Sequence, residues 1–162
     1  MFNKTQFNTL FAYHWHITQQ LLDKAKNLSE ADLHDNPGYA HGSIFDLFFH
    51  LLQTDIAWRK GLESGKQQSG VEKGQYPDLA AIEDGFAAEA VAWQAVLDGY
   101  TAVQIEGNID LINWRGDKMT FPLWHILQHV VFHGMQHHAE LAQLLTNKGQ
   151  SPGNIDLLFF RG

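Results

Sequence analysis

His125, His129, His133 and His137 stand four residues apart in one helix-forming stretch, and His138 follows directly. Spacing by four stacks side chains on successive turns of one helix face. Two imidazoles so placed can share one metal ion, and a third from another helix would complete a facial set. Metal binding is therefore the first chemistry to weigh. The stretch also carries an apolar stripe of Ile126, Val130, His133, His137, Leu141 and Leu144. At about 100° per residue, His133 and His137 lie within this stripe, while His129 and His125 spiral away from it. His138 falls at the opposite edge, roughly 100° round. His133 and His137 are thus the inward pair, with hydrogen-bonded core histidines as the alternative. Glu140, three residues after His137, could accept the second N–H of a ligating ring, as metal-bound histidines usually require.

Other histidines lie upstream. His50 shares its helix direction with Ser43, Asp46, Thr54, Ala57 and Gly61, all small or polar, while Phe45, Phe48 and Leu52 point the other way. That direction reads either as a face cleared for an ion and a substrate or as a solvent face. Asp46, four residues before His50, could orient it. His14 sits on an apolar stripe as a pocket residue, a further ligand or a satisfied core histidine. His16, His34 and His41 read as surface or loop residues. The five tryptophans read as core or interface.

Four segments of helical periodicity must position these side chains. They span residues 5–28, 43–63, 79–100 and 122–147. Ser43 is a candidate N-cap with Asp46 completing a capping box. Pro122 suits a first helical turn, and Asn147, Lys148 and Gly149 a stop. Residues 103–121 read as short extended pieces turning at Arg115, Gly116 and Asp117. The tail contains Leu157, Leu158, Phe159 and Phe160 and should dock on the body or on a partner. The expected fold is all-α, a four-helix bundle with a small β-hairpin before the last helix, formed as one domain over 1–162.

Composition narrows the classes. The 162 residues are 44% hydrophobic and 18% charged, as in a globular domain. A formal charge of −7 with scattered Lys and Arg excludes a nucleic-acid partner. Cysteine is absent, so any metal must be held by His, Asp or Glu. Residues 1–6 show no secretory leader, and no run of about 18 apolar residues spans a membrane, so a cytoplasmic protein is expected.

Two blocks carry a family resemblance: DLFFHLLQTDIAW at 46–58 and HVVFHGMQHH at 129–138. With Pro152 and Asp156 in the tail, they resemble the DinB/YfiT-like superfamily of small metal-binding four-helix bundles. The resemblance covers nearly the whole chain. It implies a metal triad of His50, His133 and His137, an unusual bundle connectivity and a homodimer. The competing class is non-enzymatic: a metal-binding helical dimer in which the metal is structural, or a stress-associated binding protein without turnover. Many relatives carry Arg-Gly-Gln where this chain has His138, Ala139 and Glu140, so no role of that arginine transfers. All-nitrogen ligation suits zinc or nickel, with iron and manganese as alternatives. The lack of any Glu-x-x-His motif argues against a two-metal carboxylate centre. Some relatives resemble S-transferases that join a low-molecular-weight thiol to an electrophile. The expected function is thiol transfer onto a small molecule, with hydrolysis at the same site as the alternative.

Overall fold

The fold is that of a computed structural model in which residues 4–38 and 41–162 are described. Residues 1–3, part of the stretch read above for a leader, lie outside them. Helix α1 (Lys4–Ala25) buries Phe7, Phe11, His14, Ile17 and Leu21, a ladder of steps of three and four. A short α2 (Glu30–Leu33), capped by Ser29, lies in the long connection to α3 (Ile44–Ser64). Ser43 and Asp46 form the expected reciprocal capping box at the start of α3, and Gly65 ends it at φ 69°. Ser43→Ala should therefore cost about 1 kcal/mol, read as a lowered urea midpoint at unchanged m-value.

Helix α4 (Leu79–Gly99) starts on an Asp78 cap. The next segment corrects the sequence reading. Residues 102–106 are not extended but form a helical turn, α5 (Ala102–Glu106). A Thr101–Gln104 capping box closes that turn, and its Ile105 is fully buried. The hairpin follows as β1 (Asn108–Ile112) and β2 (Lys118–Pro122), antiparallel, with Ile109 opposite Phe121 and Leu111 opposite Met119. It turns through residues 113–117, with Gly116 at φ 85°. Helix α6 (Leu123–Asn147) completes the bundle.

The four long helices do not pack in chain order. Helix α1 lies against α4 and α6, and α3 lies against α4 and α6. The first two long helices are therefore diagonal to one another, which the connection through α2 makes possible. The consequence for chemistry is that α3 faces α6 directly. The core runs through two apolar clusters, one around Phe48, Leu51 and Leu145, the other around Phe11, Trp93 and Leu127. Trp93 is fully buried and donates its indole N–H to the Asp55 carbonyl at 3.2 Å. Arg59 grips Glu89 with two nitrogens at 2.6 and 2.9 Å, tying α3 to α4.

The tail docks in part. Tyr13 donates its hydroxyl to the Ile155 carbonyl, and the Phe160 ring meets Tyr13 edge-on at 5.8 Å. Leu157, Leu158 and Phe159 stay exposed. No helix among the described residues is long and apolar enough to cross a membrane.

Candidate metal centre

His50 on α3 meets His133 and His137 on α6 because those two helices are neighbours. The His133 and His137 Nε2 atoms face one another at 3.0 Å. The three ring centres are 4.4 Å apart for His133 and His137, 4.8 Å for His50 and His137, and 5.4 Å for His50 and His133. Imidazoles sharing one divalent ion at nitrogen distances of about 2.0–2.1 Å have ring centres roughly 4.5–5 Å apart. The spacing fits a shared ion.

Proton placement fits as well. The Glu140 carboxylate accepts from His137 Nδ1 at 2.8 Å, the second-nitrogen contact that a ligating histidine usually makes, which leaves Nε2 turned toward His133. Burial, then the neighbouring histidine charges, push His133 down to about 3 and His50 down to about 4. Both rings are neutral at pH 7 and offer lone pairs, the form a metal needs. Glu140 thus takes the orienting position that its spacing suggests. Asp46 does not. Its carboxylate serves the Ser43 cap and an ion pair with Lys73.

His41, read above as a surface or loop residue, stands at the site. His41, His50 and His137 form a group whose candidate ligand atoms all lie within 4.8 Å of one another. Yet the His41 and His50 rings stack flat, 10° apart in plane with centres 3.8 Å apart. Rings so stacked cannot both aim a nitrogen in plane at one ion, so His41 covers the His50 ring. Gly42 explains why His41 reaches it. Its φ of 98° turns the chain back over α3, and a Cβ there would lie 2.9 Å from Asp46 Oδ2. The signal in the sequence was a histidine two residues before a capped helix, which alone is weak.

The DinB family model matches residues 1–161. The chain belongs to the DinB family. Solved structures agree in fold. YfiT from Bacillus subtilis, described as a probable metal-dependent hydrolase with an unusual four-helix bundle topology, superposes with a TM-score of 0.68 at 18% identity, over 93% of this chain and 92% of that one. A DinB-like protein of Bacillus cereus gives 0.69 at 19%, over 91% and 94%. The DinB-like YjoA of Bacillus subtilis gives 0.65 at 18%, over 90% and 94%. No curated protein matches.

Behind the centre of this DinB bundle lies a second set of polar side chains. His14 Nε2 and Asp55 Oδ2 share a hydrogen bond at 3.0 Å, both side chains being buried. His14 is therefore a core histidine held through Nε2, while its Nδ1 is buried with no hydrogen-bond partner among the described residues. His138 corrects the sequence reading more sharply, since it is fully buried and not at a helix edge. Thr18 donates its single proton to the His14 carbonyl at 2.9 Å and so accepts from His138 Nε2 at 2.8 Å. Helix α6 is wedged between α3 and α1, so it buries two faces: His137 turns toward α3 and His138 toward α1. His125 and His129 are exposed, as their drift from the stripe requires.

Proposed function

We propose that the protein is a mononuclear metal-dependent enzyme acting on a small molecule, with His50, His133 and His137 as the metal ligands. The observation that carries this is the convergence of three imidazoles from two helices, one of them oriented by Glu140. Zinc or nickel is the ion proposed, because the donors are all nitrogen. A divalent ion held by three neutral ligands would supply Lewis acidity toward a water, a thiol or a carbonyl. Glu140 orients the His137 ring through Nδ1. His41 covers the His50 ring on its exposed side.

Hydrolysis is the reaction to test first, supported by the fold shared with YfiT and by that protein's description. Transfer of a low-molecular-weight thiol to an electrophile is the second reading. It is favoured by a chain with no cysteine, in which a thiol nucleophile must come from a cosubstrate. Metal analysis of the purified protein tests the site. Wild type should carry about one divalent ion per chain, and the His133→Ala/His137→Ala double variant should carry none. An apo wild type, or a double variant that keeps its ion, would reject the assignment. Parallel panels of hydrolysable esters and amides, and of thiols with electrophiles, then separate the two reactions. Chelator should abolish turnover in whichever panel responds.

A further inference from the structure

A two-lobed cleft opens one helical turn from His133. The first lobe, about 240 Å³, is walled by Trp58, Phe121, Ile126, His125 and His129. The second, about 190 Å³, shares Trp58 and Phe121 and adds Leu111 and Met119, with the amides of Gln67 and Gln68. His129 links the cleft to the metal centre: its ring lies 6.1 Å from that of His133 and meets Trp58 edge-on at 5.1 Å.

On α3, Ala57 and Gly61 continue the line of His50 and Thr54 and keep the floor low. The hairpin forms the far wall through the pairs Leu111–Met119 and Ile109–Phe121. Gly65 and Gln67 are stitched to Ile112 by backbone hydrogen bonds at 2.9 and 2.8 Å, which holds the hairpin against the end of α3. Among the described residues no Asp, Glu, Lys or Arg lines either lobe. Apart from the exposed imidazoles of His125 and His129 the walls are apolar, with two glutamines in the second lobe, which selects a molecule with an apolar body, because a charge pressed against those apolar walls would find no partner there.

We propose that this cleft is the substrate-body subsite of the metal centre, taking a neutral aromatic or aliphatic group whose reactive end lies at His50, His133 and His137. The inference rests on the metal-dependent reading above. Three hydroxamates, which share one metal-binding head, isolate the body. Zinc-loaded protein is titrated calorimetrically with acetohydroxamate, benzohydroxamate and 4-carboxybenzohydroxamate. Burying the phenyl ring should make benzohydroxamate bind at least about tenfold more tightly than acetohydroxamate. The carboxylate should remove most of that advantage. Trp58→Ala, and separately Phe121→Ala, should bring the two neutral hydroxamates to within about threefold while leaving acetohydroxamate unchanged.

Equal affinities in wild type, a preference that survives both substitutions, or full retention of it by the carboxylate would overturn the subsite. Metal analysis of the same samples separates the two failures. A flat ratio with one ion bound rejects the cleft alone. A protein that takes up no zinc rejects the metal centre, and the subsite with it.

Discussion

Gly134→Ala is expected to destabilise the protein by about 3 kcal/mol, opposite in sign to what helix propensity alone would give. In an open helix the same change would stabilise by up to about 1 kcal/mol. Here an added Cβ would lie 2.2 Å from His14 Nδ1 and 2.3 Å from its Cε1. The ring has nowhere to retreat. Asp55 holds its Nε2 at 3.0 Å, Trp15 packs on it edge-on at 4.4 Å, and His138 lies 5.0 Å away. Either the His14–Asp55 hydrogen bond breaks inside the core, at about 1–3 kcal/mol, or α1 and α6 part and open it. A melting point lowered by about 10 °C is the expected reading for a chain of this size. Gly99→Ala is the control, since Gly99 is exposed with nothing near its Cβ position, and should change stability by less than about 0.5 kcal/mol. In a His14→Ala background the Gly134→Ala penalty should largely vanish, because the two residues are in contact and couple. A Gly134→Ala protein as stable as wild type would contradict the packing of α1 on α6.

The metal-free protein should lose stability steeply as pH falls below about 6.5, the ordinary histidine value. Burial is the first cause that lowers His138 well below that value, His133 to about 3 and His50 to about 4. Between the ordinary and the lowered values the unfolded chain binds protons that the folded chain refuses, so stability falls with pH in that window. The contribution is therefore complete above pH 6.5 and is lost as pH descends toward 4 and below. Each such site adds a slope of up to about 1.4 kcal/mol per pH unit. His138 carries that slope in full because it is fully buried. His50 and His133 carry less, since both are part-exposed and water screens them. Asp55 and Glu89 oppose the trend, because burial raises both carboxyls and lets the folded state take up those protons first. Urea midpoints measured from pH 8 to pH 4 in chelator should be flat above 6.5 and fall below it. A flat profile down to pH 4.5 would contradict the burial of these rings.

The inward pair His133 and His137 is legible in the chain because helical geometry is local. An apolar stripe at about 100° per residue places both rings and sends His125 and His129 to the flank. Glu140 is legible for the same reason, being one turn from His137. The turn at 102–106 carried a readable signal too, since Thr101 and Gln104 have capping-box spacing. The apolar run that follows suggested strand instead. Asp46 had two roles open to it, and the helix cap took it.

His50 is the contrasting case. Its own periodicity allowed a solvent face or a site, and the family resemblance pointed to it as the third ligand. The geometry that brings it to the others is the diagonal placement of α1 and α3, which sets α3 against α6. No pattern within a helix states which other helix it will face. His138 falls outside the stripe because a single stripe describes one buried face, whereas α6 packs on α3 and α1 at once. His41 reaches the site through one positive-φ glycine and the return of a loop. What the chain determined by itself is which residues form each helix, where each helix stops and which rings share a face. What only the tertiary structure decided is which faces meet, because contacts between helices depend on the whole set of packed surfaces and not on any one segment's period.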